Sequence, residues 1–260
     1  GGRDASSHHP EWFISHWWGE AIWLFVGCIL EHCRVRGHGD NIPYWCCAYA
    51  NNQHDLGKDL SVDPRNTSFF RAMQLCIGVL VVLDPEATPF KRMWCCFEEA
   101  VALGALGEQS QQKKMKLDIV TTLSAESIDA VATGEMPGTP EMTVVGESWV
   151  PSVILSDGLT AEELKVETIY GEGSGYGWVK KRARETNFPM ELIEKHGLRI
   201  DIERAAATRD EDRIRILNAI AGREDEHLDD PPIEAHHRYL DVSRGLRAIF
   251  AVSAWPQIVQ

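Results

Sequence analysis

Apolar and polar positions along this chain switch between the period of a strand and that of a helix, and the switches set out an order of elements. Trp12-Phe-Ile-Ser-His16 is a short aromatic and β-branched run that reads as a buried strand, after which Gly19 and Glu20 open a helix. That helix, Ala21 to about Arg36, places Ile22, Phe25, Val26, Ile29 and Leu30 on one stripe and stops near Gly37. Tyr44 to Ala50 fits a second strand. A polar loop from Asn51 to Thr67 follows, rich in turn residues. Ser68 is placed to cap a short helix through Cys76. Ile77 to Leu83 is almost wholly apolar, the pattern of a strand covered on both faces, and Asp84-Pro85 ends it. A helix from about Phe90 to Leu106 and a fourth strand at Leu117 to Leu123 complete the series. Strands alternating with crossover helices imply an α/β fold with a parallel sheet.

Beyond it the pattern loosens between Gly134 and Gly158, around four prolines and glycines, which suggests an inserted excursion. Two helix starts carry capping boxes, Thr160-Ala-Glu-Glu163 and Thr208-Arg-Asp-Glu211. Leu198 to Ile202 alternates like a strand with one polar face. The helix after Thr208 presents Ile214, Leu217, Ile220 and Ala221 and stops at Gly222, and a final helix spans about Asp241 to Ala251. The resulting division is an N-terminal arm (1–11), an α/β core (12–133), an excursion containing the Gly171–Gly177 loop (134–196), and a last strand with C-terminal helices packing on the core (197–260).

Composition narrows the class. The 260 residues are 44% hydrophobic and 25% charged, which suits a large packed core and excludes a disordered or disulfide-stapled chain. With 39 acidic against 26 basic residues, the net charge of −13 makes nucleic acid or an anionic membrane an unnatural partner. The longest N-terminal apolar run, Ala21 to Leu30, is too short to span a bilayer. All seven cysteines lie between Cys28 and Cys96, an odd number with vicinal pairs at Cys46-Cys47 and Cys95-Cys96, as expected of a reducing, cytoplasmic setting. The chain opens on Gly1 rather than Met, which reads as a processed chain or an excerpt.

Three segments together resemble the TIR (Toll/interleukin-1 receptor) domain family. Phe13-Ile-Ser-His-Trp-Trp-Gly-Glu20 is similar to the family's first box, Ile77-Gly-Val-Leu-Val-Val-Leu-Asp84 to its central strand, and Trp94-Cys-Cys-Phe-Glu98 to the plant-type Trp-Cys-x-x-Glu that opens the next helix. The resemblance covers about Trp12 to Leu106. It implies a flavodoxin-like sheet of about five parallel strands and one of two activities: cleavage of the nicotinamide glycosidic bond of NAD, by hydrolysis or cyclisation, or signalling by assembly with copies of itself or other TIR-like domains. NAD would then be substrate, with no cofactor required.

By motif position the catalytic residue of the enzymatic members falls on Glu98. Advancing ~100° per residue from Trp94 puts Glu98 about 40° away, at the edge of a core stripe of Met93, Phe97, Ala100, Val101 and Gly104. There a carboxylate can hydrogen-bond ribose hydroxyls and stabilise an oxocarbenium-like charge. The alternative is that Glu98 and Glu99 are first-turn acids favoured by the helix dipole. His16, Trp17 and Trp18 follow the first strand at the same edge, either stacking on nicotinamide or adenine or packing as core anchors. Asn51 and Asn52, with Gln53, occupy the place of the family's BB loop and are candidates for ribose or amide contacts, or else an Asx-rich turn. Asp84 and Trp94 complete the candidate binding set, Asp84 alternatively capping the next turn. The first box lacks the family's usual basic residue, for which Lys58, Arg65, Arg71, Lys91 and Arg92 are possible substitutes. No Cys/His spacing suits zinc, and adjacent cysteines on a strand point to opposite faces, so Cys46 and Cys47 read as buried thiols. Gly171 to Gly177 reads as a hinge and His236-His237 as surface.

Overall fold

The computed structural model describes residues 9–39, 42–50, 63–106, 115–124, 149–155, 159–171, 173–186 and 188–258. Its centre is a five-stranded sheet ordered β2-β1-β3-β4-β5, built from β1 (Trp12–His16), β2 (Tyr44–Cys46), β3 (Gly78–Leu83), β4 (Lys116–Ser124) and β5 (Trp149–Leu155). The first four strands are parallel, with Trp12 opposite Gly78 and Gly78 opposite Lys116, and β5 runs antiparallel along β4. This is a flavodoxin-like α/β architecture. It corrects the expectation of five parallel strands: the fifth comes from the excursion after Gly134, and Pro151 is accommodated because β5 lies at the edge.

Each strand divides its side chains between two cores. Trp12, Ile14, Leu80, Val82 and Val120 face α1 (Ile22–Arg36), while Phe13, Val79, Val81, Leu83, Leu117 and Ile119 face the opposite layer. That opposite layer comprises α3 (Ser68–Leu75), α4 (Met93–Ala102), α7 (Met190–Lys195), α8 (Asp210–Ala221) and α9 (His237–Ile258). Phe188, Ile193, Ile216, Leu217 and Phe250 join it in one apolar cluster, so the C-terminal helices are part of the core rather than an appendage. At Gly78 a Cβ would sit 2.5 Å from the Trp12 ring, so the strand crossing there requires glycine. No helix among the described residues is long and apolar enough to cross a membrane.

Several elements differ from expectation for identifiable reasons. Helix α1 buries Phe25, Cys28, His32 and Val35, leaving Ile22 and Leu30 each 61% exposed and Val26 exposed as well. The second strand ends at Cys46, and Cys47–Ala50 turns into α2. Thr67, not Ser68, caps α3, its hydroxyl accepting from Phe70 N. The helix expected from Phe90 to Leu106 is broken at Arg92. Thr88–Lys91 forms a 3₁₀ turn, and Arg92 is extended because its neighbours pair with Ala206, which donates to Lys91 O and accepts from Met93 N, each at 2.8 Å.

The strand expected at Leu198–Ile202 is absent. Its ends belong to two 3₁₀ turns, Gly197–Arg199 and Ile202–Arg204, and its backbone is met by side chains, Arg247 donating to Ile200 O and Ser243 accepting from Ile202 N. The Thr160–Glu163 capping box forms at α5 (Ala161–Ile169). The Thr208 box does not: Arg209 is the N-cap of α8, whose first turn instead carries Asp210, Glu211 and Asp212 against the helix dipole. The last helix is longer than expected, His237–Ile258. At the end of the glycine-rich segment, two backbone N–H groups are held by a side chain of α5. Glu167 accepts from Gly175 N at 2.8 Å and Gly177 N at 2.7 Å, locking α5 to α6 (Tyr176–Glu185).

Beneath α1 the apolar layer is interrupted by a buried polar network. Asp118 on β4 is fully buried and accepts from Arg36 Nε and Nη2, both at 2.7 Å, and from His32 Nε2 at 2.8 Å. With Nε2 donating, His32 Nδ1 is left to accept the Tyr44 hydroxyl at 2.7 Å, and Arg36 lies 5.3 Å over the Trp12 ring. Burial pushes the Asp118 pKa up, but the hydrogen bonds from His32 and Arg36 outweigh it and hold the carboxyl below its ordinary value.

Candidate functional site

The parallel strands β1, β2 and β3 deliver His16, Cys46 and Asp84 to one edge of the sheet, where ligands bind in open α/β folds. Helix α4 runs back from this edge and carries Glu98 and Glu99. Both are buried, and neither lies in the first turn, so the dipole explanation does not hold. The helix is buried all round because layers close on both its sides, and the carboxyls go in with it.

Glu98 is 5% exposed. Burial raises its pKa from an ordinary 4.5 to about 8, the neighbouring Cys46 adds to the rise, and Ser15 opposes it. The Ser15 hydroxyl lies close enough to act on both Glu98 and the Cys95 thiol, though its Oγ meets no partner at hydrogen-bonding geometry among the described residues. Glu99 is fully buried, both of its oxygens lack partners among the described residues, and burial followed by the proximity of Glu98 pushes its pKa well up.

Two further groups titrate abnormally at this edge. Burial lowers the His16 pKa to about 4, against a backbone hydrogen bond at Ile14; the neutral ring packs 4.6 Å from Phe25, and its Nδ1 has no partner among the described residues. Burial, with the Asp84 charge in support, raises Glu20 to about 7. Asp84 itself accepts from Thr88 N and Oγ1, each at 2.6 Å, so it caps the turn after β3 as well as facing Glu20.

The vicinal thiols are drawn together rather than apart. Because Cys47 begins a helix, its thiol stays near enough to act on Cys46; this interaction lowers the Cys46 pKa to about 7 despite burial, with backbone donors at Ala48 and Tyr49 assisting. Cys47 moves the other way, driven up by the same interaction, burial and the Glu98 charge. Trp18, 52% exposed, donates from Nε1 to Cys47 Sγ at 3.0 Å, which hangs an accessible indole face beside the thiol pair. Trp17 folds back over its own turn, its ring filling the space a Cβ on Gly19 would need. Among the described residues no three His, Cys, Asp or Glu side chains form a metal-holding group.

The structure therefore brings His16, Trp18, Asp84 and Glu98 to one edge of the sheet. Trp94 belongs elsewhere: it stacks on Phe69 at 5.8 Å, meets Phe97 edge-on and donates to Asp212, packing α4 against α3 and α8. Asn51, Asn52, Gln53 and Lys58 lie outside the described residues. Of the possible basic substitutes, Arg65 is paired with Asp63 and Asp225, Arg71 and Arg92 are exposed, and Lys91 lines a separate cavity. Glu20, Glu99, Ser15 and the thiol pair are additions that sequence reasoning did not assign to a site. Glu20 did carry a signal, as the last residue of the first-box motif.

Perturbed carboxyls, a neutral histidine and an exposed indole around one sheet edge are the features of a site that binds and polarises a ligand. Comparison of the chain with family models, with characterised proteins and with solved structures finds no match.

Proposed function

We propose that this edge is the active site of a TIR-like enzyme that cleaves the nicotinamide glycosidic bond of NAD. The observation carrying the reading is Glu98, a buried carboxyl at the carboxyl ends of the parallel strands with a titration point near 8. A cationic nicotinamide ring entering this water-poor edge favours the ionised form of Glu98 by direct charge attraction. As the bond between ribose C1′ and the ring nitrogen breaks, its electron pair leaves with neutral nicotinamide. Positive charge is then left on the ribose, facing the carboxylate. Attack by water, which then gives up a proton, forms the linear product, and attack by an adenine ring nitrogen, with a proton lost from the adenine, forms the cyclic one. Trp18 offers a stacking face for one of the rings.

The test is nicotinamide release from NAD at high protein concentration, followed by chromatography, with Glu98→Ala as control. The expected result is release by the wild type and a loss of about 100-fold or more in the variant, the scale of losing a transition-state charge partner. No release by the wild type, or equal release by both, would sink the assignment.

A second reading, a non-catalytic module acting by self-association, is favoured by one specific feature. Ile22, Val26 and Leu30 form an exposed apolar stripe on α1. It predicts concentration-dependent association in sedimentation experiments that Val26→Lys abolishes; a strict monomer at all concentrations contradicts it.

A further inference from the structure

We propose that a second, basic pocket beside the sheet edge binds the phosphate group of a phosphorylated small molecule. Its walls come from the 3₁₀ turn Thr88–Lys91 after β3 and from the stretch between Lys195, the last residue of α7, and Ala205, and they line an open cleft of about 190 Å³. That is room for about six water molecules, enough for a phosphate or pyrophosphate but not for a whole dinucleotide. Lys91, Lys195, Arg199 and Arg204 line it with His196, against a single lining carboxylate, Asp201. On a chain of net charge −13 this is a local reversal of sign.

The pocket rests on a fixed frame. Gly197 packs against Phe250 so closely that a Cβ would lie 2.6 Å from the ring, and Arg247 ties the Ile200 carbonyl to α9 at 2.7 Å. Ala206 N donates to Lys91 O at 2.8 Å, which joins the two walls through the backbone. Ala87, a buried lining residue, is held at φ 47, a conformation unfavourable for a residue with a Cβ, so the turn is imposed by its surroundings.

The cations are available to a ligand. Arg199 has no side-chain partner among the described residues. Lys91 and His196 approach Glu86 only at 3.7 and 3.9 Å, and Lys195 with Glu191 and Arg204 with Asp201 form solvent-facing pairs. Exposed pairs of this kind contribute little, so a multivalent anion can displace them, whereas bidentate guanidinium–phosphate contacts are strong. Burial, then the nearby Lys91, keeps the His196 pKa below its ordinary value, so at neutral pH its ring is a neutral hydrogen-bonding group. Asp84 accepts from Thr88 N and Oγ1 at the start of the turn that lines this pocket, which places the pocket next to the site described above. The pocket nonetheless stands on its own residues and does not depend on NAD cleavage.

The test is calorimetric titration of the full chain with inorganic pyrophosphate. Saturable binding by the wild type is expected, weakened about tenfold or more in Lys195→Glu/Arg199→Glu, with both proteins unfolding at similar temperature. Lys180→Glu, on the exposed surface of α6, is expected to leave binding unchanged. Displacement of pyrophosphate by NAD assigns the phosphate to the neighbouring site's own ligand, and binding that NAD does not displace assigns it to a separate phosphorylated molecule. No binding by the wild type, or equal weakening by Lys180→Glu and the pocket variant, overturns the proposal.

Discussion

Replacing Asp118 with alanine is expected to destabilise the protein by about 3–5 kcal/mol, the scale of removing one partner from a buried ion pair. Asp118 is fully buried and takes two hydrogen bonds from Arg36 and one from His32, whose side chains are 6% and 0% exposed. Without the carboxylate, the Arg36 guanidinium loses both hydrogen bonds that Asp118 accepts from it, and the His32–Tyr44 contact loses its anchor. The pH dependence has a defined sign. Because the Asp118 pKa is lowered on folding, its contribution is complete above the unfolded value near 3.8 and is lost as pH falls through the folded value. Urea unfolding at pH 7 checks this. A loss below about 1 kcal/mol would show that the network is incidental to stability.

Glu98→Gln is expected to act in the opposite direction on stability. Raised from 4.5 to about 8, the Glu98 carboxyl holds its proton in the folded state through a range where the unfolded chain has released it. Folding stability therefore falls as pH rises from about 4.5 to about 8. The full span is on the order of 5 kcal/mol, an upper figure for a single buried group. Glutamine keeps the shape without the proton equilibrium. The variant is expected to match the wild type near pH 4 and exceed it by several kcal/mol at pH 9. Denaturant melts at both pH values read this directly, and a stability difference that does not change with pH contradicts a raised Glu98 pKa.

Much of this architecture is legible in the chain because its signals are local. Strand β1 is bounded by its own aromatic run, β3 by Asp84-Pro85, and α1 and α8 end at Gly37 and Gly222, both left-handed. What is not legible depends on partners far away in sequence. The break at Arg92 exists because Ala206 pairs beside it. Helix α1 turns His32 inward because Asp118 awaits it across the layer, and hydropathy counts His32 as polar. The thiols of Cys46 and Cys47 act on each other because the chain changes from strand to helix between them. Trp94 lies about 40° from Glu98 around the helix axis, yet it is drawn away from the site by Phe69 and Asp212. The site shows the same division. Glu98 is reachable from a motif, whereas the abnormal titration of Glu20, Glu99 and His16 arises only once layers close over them.

Nicotinamide release by Glu98→Gln, measured in the same preparations whose melting is compared at pH 9, separates chemistry from folding most directly. The expected outcome is a variant that melts above the wild type yet releases nicotinamide at least about 100-fold more slowly. In the wild type, kcat/KM should rise with pH through a value near 8 as Glu98 ionises. A more stable variant that still cleaves NAD at the wild-type rate would contradict the assignment of Glu98 as the charge that faces the ribosyl cation.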